Sequence, residues 1–302
     1  MTQNKIYDAI IIGGSYAGLS AAMSLGRSLR QVLIIDSGKP CNSKSPHSHN
    51  FITHDGQAPG EILKIAKDQV LAYPTIEFHN GLVAGAVRTS DGFELKLASG
   101  ESLSCKKIIF ATGLKDIMPD INGYADCWGI SILHCPYCHG YEMKNEYTGL
   151  IGNGNFGFEL TKMIRHWSKE LVLFTNGKSM LTNEQAHKLK QHRIKIIETA
   201  ITGIGHQDGM VQHIILQDGI KVQVKAIYAR PLFVQHSDLP KELGCEITAE
   251  GLIKVDQFQK TTVAGVFACG DNATFGRAVS MSVSTGSFAG IVCNKELIEE
   301  AF

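Results

Sequence analysis

The sequence predicts an α/β protein with two Rossmann-like nucleotide-binding units, and three features predict it. Two segments repeat the order strand, glycine turn, helix, strand, their glycine turns about 140 residues apart. Each turn follows a short apolar run of the kind that forms a buried parallel strand. A third such run, Gly265-Val266-Phe267-Ala268-Cys269-Gly270-Asp271, ends on a Gly-Asp pair late in the chain.

The first strand is Tyr7-Asp8-Ala9-Ile10-Ile11-Ile12, and the turn Gly13-Gly14-Ser15-Tyr16-Ala17-Gly18 follows it. The apolar-periodic run over 19–29 predicts a helix, and Gln31-Val32-Leu33-Ile34-Ile35, closing on Asp36, a second strand. Phe93-Glu94-Leu95-Lys96-Leu97 alternates as a half-buried strand does, and Lys107-Ile108-Ile109-Phe110 is a strand ending at Ala111-Thr112-Gly113. The Gly- and Pro-marked stretch 113–123 reads as a crossover between domains. The second unit starts with Thr148-Gly149-Leu150-Ile151 and the turn Gly152-Asn153-Gly154-Asn155-Phe156-Gly157. A helical run to Trp167 and the strand Glu170-Leu171-Val172-Leu173-Phe174 complete it. A glycine-containing apolar helix over 279–297 closes the fold.

Composition narrows the function classes. Lys+Arg and Asp+Glu are both 29, so no net charge draws the chain to nucleic acid or a membrane surface. No apolar run approaches the eighteen or so residues of a membrane span, and no signal-peptide pattern opens the sequence. The expectation is a soluble, cytoplasmic protein. Six of the eight cysteines (Cys41, Cys105, Cys127, Cys245, Cys269 and Cys293) are scattered and read as packing residues rather than a secreted disulfide framework.

The first glycine turn places a helix N-terminus where its unpaired N–H groups and dipole favour a pyrophosphate. Gly13 makes the turn and Gly18 lets helix and strand pack closely; Ser15 stands where the usual pattern has a middle glycine. Asp36, at the end of the next strand, is placed to accept hydrogen bonds from an adenosine ribose. The second turn keeps all three glycines, yet its next strand runs into Phe174-Thr175-Asn176-Gly177-Lys178. That offers no acid for a ribose hydroxyl and no arginine for a 2′-phosphate.

Cys135-Pro136-Tyr137-Cys138 carries the sharpest chemistry, because two thiols two residues apart can close a small redox-active ring. His139 adjoins the pair and His134 precedes it, either able to move the proton that thiol–disulfide exchange needs. Three other readings compete: a c-type haem attachment from Cys-x-x-Cys-His, a zinc knuckle lacking further ligands, and two inert buried cysteines. The cluster His47, His49 and His54 reads as a polar loop near the cofactor in preference to a metal site, and no metal is expected.

The order of these motifs resembles the low-molecular-weight thioredoxin reductases over essentially the whole chain. That resemblance implies FAD as cofactor, a homodimer, and three-layer Rossmann-like domains with the second inserted in the first. The boundaries it implies are a discontinuous FAD domain, 1–117 plus 246–302, and a nicotinamide-type domain, 118–245. By position, Gly13, Ser15, Gly18, Asp36, Asn50, Val83, Thr112, Asp271, Ala278 and Val279 would contact FAD. Cys138 would face the flavin and Cys135 would be the interchange thiol meeting a thioredoxin-like protein or a small dithiol or disulfide.

Two departures separate this chain from that pattern. His139 replaces the acid that follows the second cysteine, and Thr175-Asn176-Gly177 replaces the arginine cluster that grips NADPH. Cys135-Pro136-Tyr137-Cys138-His139-Gly140-Tyr141-Glu142, with Ser48-His49-Asn50-Phe51 in the early loop, looks more like the branch holding the fungal dithiol oxidases of gliotoxin and holomycin type, which pass electrons from a dithiol to oxygen, and bacterial thioredoxin-reductase-like proteins. The expectation is an FAD-dependent thiol–disulfide oxidoreductase with doubtful use of NADPH or NADH. The alternatives are a working NAD(P)H-dependent thioredoxin reductase and a flavin-holding redox sensor that does not turn over.

Overall fold

The computed structural model describes residues 5–302, which fall into two compact units. The first takes in the chain up to Ser43, Phe51–Lys115 and Phe233–Phe302; the second is Lys44–Asn50 with Asp116–Leu232.

In the first unit a seven-stranded sheet runs in the order Ile76–Asn80, Val32–Asp36, Ile6–Ile12, Ser102–Phe110, Gly92–Leu97, Val83–Thr89. The first four of these strands are parallel, and Val266–Ala268 joins them by pairing with residues 108–110. Ser102–Phe110 is longer than the predicted strand because its first half pairs antiparallel with Gly92–Leu97 while its second half pairs parallel with Val266–Ala268. Alternation along Ile6–Ile12 sends Ala9 and Ile11 to a helical face and Ile10 and Ile12 to the face covered by the Phe93, Leu95 and Leu97 side chains. Three layers result.

The helix after the first glycine turn is Tyr16–Arg27. It stops short of the predicted end because Leu29 takes a left-handed φ of 61° and points into solvent, 80% exposed. An apolar residue at helical spacing does not extend a helix once it has no core to face. The last helix is Val279–Glu299, and it crosses Tyr16–Arg27 closely. A Cβ on Gly286 would lie 2.1 Å from the Ala17 carbonyl oxygen, and one on Gly290 would lie 2.5 Å from that of Ala21. The hydroxyls of Ser20 and Ser24 donate across the same crossing to the Val283 and Ser287 carbonyls.

The second unit repeats the plan. Its five strands are all parallel, in the order Lys195–Ile197, Leu171–Phe174, Thr148–Ile151, Ala226–Ala229, Ile132–Leu133. Helix Gly154–Ile164 covers one face through Leu160 and Ile164. The antiparallel meander Ile201–Gln207, Met210–Leu216, Lys221–Gln223 covers the other through Ile204 and Ile214. Among the described residues no helix is long and apolar enough to cross a membrane.

Candidate active site

In the first unit the predicted binding residues gather where parallel strands end. The glycine turn follows Ile6–Ile12, Asp36 ends Val32–Asp36, Thr112 follows Ser102–Phe110, and Asp271 follows Val266–Ala268. This carboxyl edge is where open α/β sheets bind ligands. Gly13 has φ 108°, and a Cβ there would sit 2.2 Å from the Ala111 carbonyl oxygen. A Cβ on Gly18 would sit 1.8 Å from the Gly13 carbonyl oxygen, so strand and helix meet at backbone contact.

Ser15 caps helix Tyr16–Arg27 in extended conformation without a side-chain cap bond, which leaves the leading N–H groups open to an anion. Asp36 accepts from the Gly14 N–H at 2.6 Å and from the Gly38 N–H at 2.7 Å, holding the turn in shape. The Ser282 hydroxyl donates to Asp271 at 3.3 Å, and Arg277 Nε lies 3.6 Å from the same carboxylate. Ala278 is the N-cap of helix Val279–Glu299, again without a side-chain cap bond. Val83 is buried at the start of its strand, while Asn50, with φ 59°, belongs to the segment clustering with the second unit.

Sequence reading missed Asn272. It is fully buried, and its amide donates to the Phe110 carbonyl at 3.0 Å and to Thr112 Oγ1 at 3.1 Å. It thereby locks the Asp271 turn to the end of the neighbouring strand.

The second glycine turn has a different fate. The Asn153 side chain accepts from the Gly154 N–H at 2.8 Å and from the Met180 N–H at 2.7 Å. Its amide donates to the carbonyls of Thr175 and Lys178 at 3.2 and 2.9 Å. The segment after strand Leu171–Phe174 is thereby folded down on the turn, with Met180 3.5 Å from the place a Cβ on Gly154 would occupy. At this helix N-terminus one leading N–H, that of Gly154, is therefore taken by the chain itself.

Cys135 and Cys138 also lie beyond a strand's carboxyl end, that of Ile132–Leu133. Cys135 caps the short helix Pro136–His139, and both cysteines are half-buried. The hydrogen bond from Cys138 brings the Cys135 thiol down to about 7 against the opposing effect of burial, and backbone N–H groups at Cys138 and Tyr137 add to it. Gly140 is required here, because a Cβ would meet the Pro136 carbonyl oxygen at 2.4 Å and the Trp167 ring at 2.8 Å.

Burial lowers the His139 pKa and the charge on His49 lowers it further, against the pull of Glu142. His49 Nε2 lies 3.5 Å from Glu142 Oε1, and its ring stands edge-on to His139 at 6.3 Å. His47 is 6.3 Å from His49, whereas His54 bonds Gln57 at 2.7 Å in the other unit. No group of three His, Cys, Asp or Glu able to hold a metal occurs among the described residues.

A model of the pyridine nucleotide-disulphide oxidoreductase family matches residues 7–290. The chain belongs to this family. It is 33% identical over 315 residues to a thioredoxin reductase of Claviceps purpurea, covering 99% of this chain and 97% of the relative. The crystal structure of HlmI superposes with a TM-score of 0.93 at 33% identity, covering 100% of this chain and 95% of that one. An oxidoreductase from Agrobacterium tumefaciens gives 0.91 at 34% identity, covering 97% and 99%. The expected resemblance to thioredoxin reductases and the two-unit Rossmann-like fold are both borne out. As a member of the pyridine nucleotide-disulphide oxidoreductases, this protein is a thioredoxin-reductase-like enzyme.

Proposed function

We propose that this oxidoreductase uses FAD, held by the first unit, and oxidises a dithiol at Cys135–Cys138 without drawing on NADPH or NADH. The observation carrying this reading is the contrast between the two glycine turns. One presents a helix N-terminus without a side-chain cap bond beside Asp36; at the other, Asn153 takes up the Gly154 N–H and holds the Met180 segment against the turn. Gly13, Ser15, Gly18 and Asp36 would hold the pyrophosphate and ribose. Val83, Thr112, Asp271, Ala278 and Val279 would hold the rest, whereas Asn50 lies in the segment that clusters with the second unit. The close backbone contacts at Gly13 and Gly18 fit a cradle that side chains would fill. Bound there, FAD would supply the two-electron couple that reoxidises the cysteine pair, with oxygen as the final acceptor.

In the oxidising direction a substrate thiolate attacks Cys135 of the Cys135–Cys138 disulfide, and Cys138 leaves as a thiolate. The second substrate thiol then attacks the first substrate sulfur of this mixed disulfide. Cys135 is released, the substrate leaves as a disulfide, and two electrons remain on the cysteine pair. His139, whose lowered pKa keeps its imidazole neutral near pH 7, takes up the proton of the attacking thiol. The substrate is a small dithiol or a thioredoxin-like protein, and the protein works as a cytoplasmic homodimer. The competing reading, an NAD(P)H-dependent thioredoxin reductase, draws its support from the three glycines at 152, 154 and 157.

The Cys135→Ser variant tests the assignment of roles. It is expected to keep its bound flavin spectrum and lose dithiol turnover by at least ~1,000-fold, as the loss of a covalent nucleophile does. Full turnover in that variant would remove Cys135 from the exchange.

A further inference from the structure

The parallel sheet of the second unit carries the dithiol and the glycine turn at its carboxyl edge. Its amino edge holds a cleft of about 540 Å³, a volume that suits a nucleotide-sized ligand. Tyr147, Glu170 and Lys195 line it from the starts of three strands. Arg165 and His192 line it from the C-terminal caps of helices Gly154–Ile164 and Asn183–Gln191. Arg165, Lys169, Arg193 and Lys195 bring four cations to this one cleft, against the single carboxylate of Glu170.

Like charges gathered in this way repel one another unless something offsets them. Elsewhere the chain offsets them itself. Lys162, Lys188 and Lys295 pair with Glu159, Glu184 and Glu299 one helical turn away. None of the cleft's four cations forms an ion pair with a described residue. Cations at the ends of two helices do complement the helix dipoles, and Lys169 donates to the Arg165 carbonyl at 3.1 Å. That role leaves the donors of the others unused. Arg165 Nε is buried without a partner, and the side chains of Arg193 and Lys195 bond no described residue. A buried donor on a charged group costs stability while it is unpaired, and an acceptor in the cleft would restore it.

Guanidinium forks match phosphate oxygens two at a time, while an ammonium contributes a point charge. Four cations less one carboxylate exceed the roughly two charges that a single phosphate carries. We propose that the cleft binds a small molecule bearing a di- or triphosphate, Arg165 and Arg193 gripping its oxygens and Lys169 and Lys195 balancing its charge. Tyr147, whose phenol burial and Glu170 keep protonated, is a further donor there. The site stands at the opposite edge of the sheet from the dithiol, so its occupancy does not depend on the exchange reaction.

Calorimetric titration of the flavin-loaded protein with inorganic pyrophosphate, ADP and citrate tests the site. Both phosphates are expected to bind, and citrate, which brings comparable charge on carboxylates, to bind at least about tenfold more weakly. Arg165→Gln is expected to weaken both phosphates by about tenfold or more, as loss of a charge-assisted fork does. The double variant Arg193→Gln/Lys195→Gln is expected to do the same, and both of its positions are exposed, so the fold stays intact. ADP binding more tightly than pyrophosphate assigns the phosphate to a nucleotide; equal binding assigns it to a free polyphosphate. No binding of either phosphate, binding that survives both variants, or citrate binding as tightly as pyrophosphate overturns the proposal.

Discussion

Cys135 and Cys138 start from the same thiol chemistry, and one turn of helix gives them unequal states. The hydrogen bond from Cys138 makes Cys135 the better nucleophile near pH 7, while burial pushes Cys105 and Cys269 up to about 12 and raises Cys293 as well. Alkylation of the reduced protein is therefore expected to label Cys135 with a midpoint near pH 7 and to leave those three unmodified until the protein unfolds. A Cys135 midpoint near the ordinary thiol value would contradict the assignment. The sign for stability follows from linkage. The folded Cys135 titrates below its unfolded value, so its contribution is complete above the unfolded pKa and is lost as pH falls through about 7. Sequence spacing revealed the pair and its histidine. It did not reveal Glu142, because nothing local ties it to His49.

At the scale of elements, the crossing of Tyr16–Arg27 with Val279–Glu299 fixes two helix N-termini of the proposed flavin site. Gly286→Val would drive a branched side chain into the Ala17 carbonyl. Overpacking of this kind costs about 1–3 kcal/mol and here displaces the helix bearing Ala278 and Val279. The expected outcome is a lower midpoint in chemical denaturation together with weaker flavin retention; an unchanged midpoint would show that the crossing is not tight. The last helix was legible from its apolar run, but the reason for its glycines was not. Gly286 and Gly290 matter only against Ala17 and Ala21, which lie more than 260 residues earlier. The end of the first helix was misplaced for a related cause: periodicity includes Leu29, while burial excludes it.

The molecule as a whole carries the same motif twice in two different settings. By glycine count alone the second turn is the better dinucleotide site, since the first has Ser15 in the middle position. The proposed function reverses that ranking on contacts 22 to 27 residues apart in sequence. Asn153 reaches Thr175, Lys178 and Met180, contacts that no local pattern announces. The lack of an acid or arginine after Phe174 was readable from sequence, and it points the same way. The most direct test is an anaerobic visible spectrum of the purified flavoprotein titrated first with NADPH, then NADH, then a dithiol. A flavin band that ignores both nucleotides and bleaches with the dithiol is the predicted result. Rapid bleaching by either nucleotide would contradict the account and restore the nicotinamide-dependent reductase.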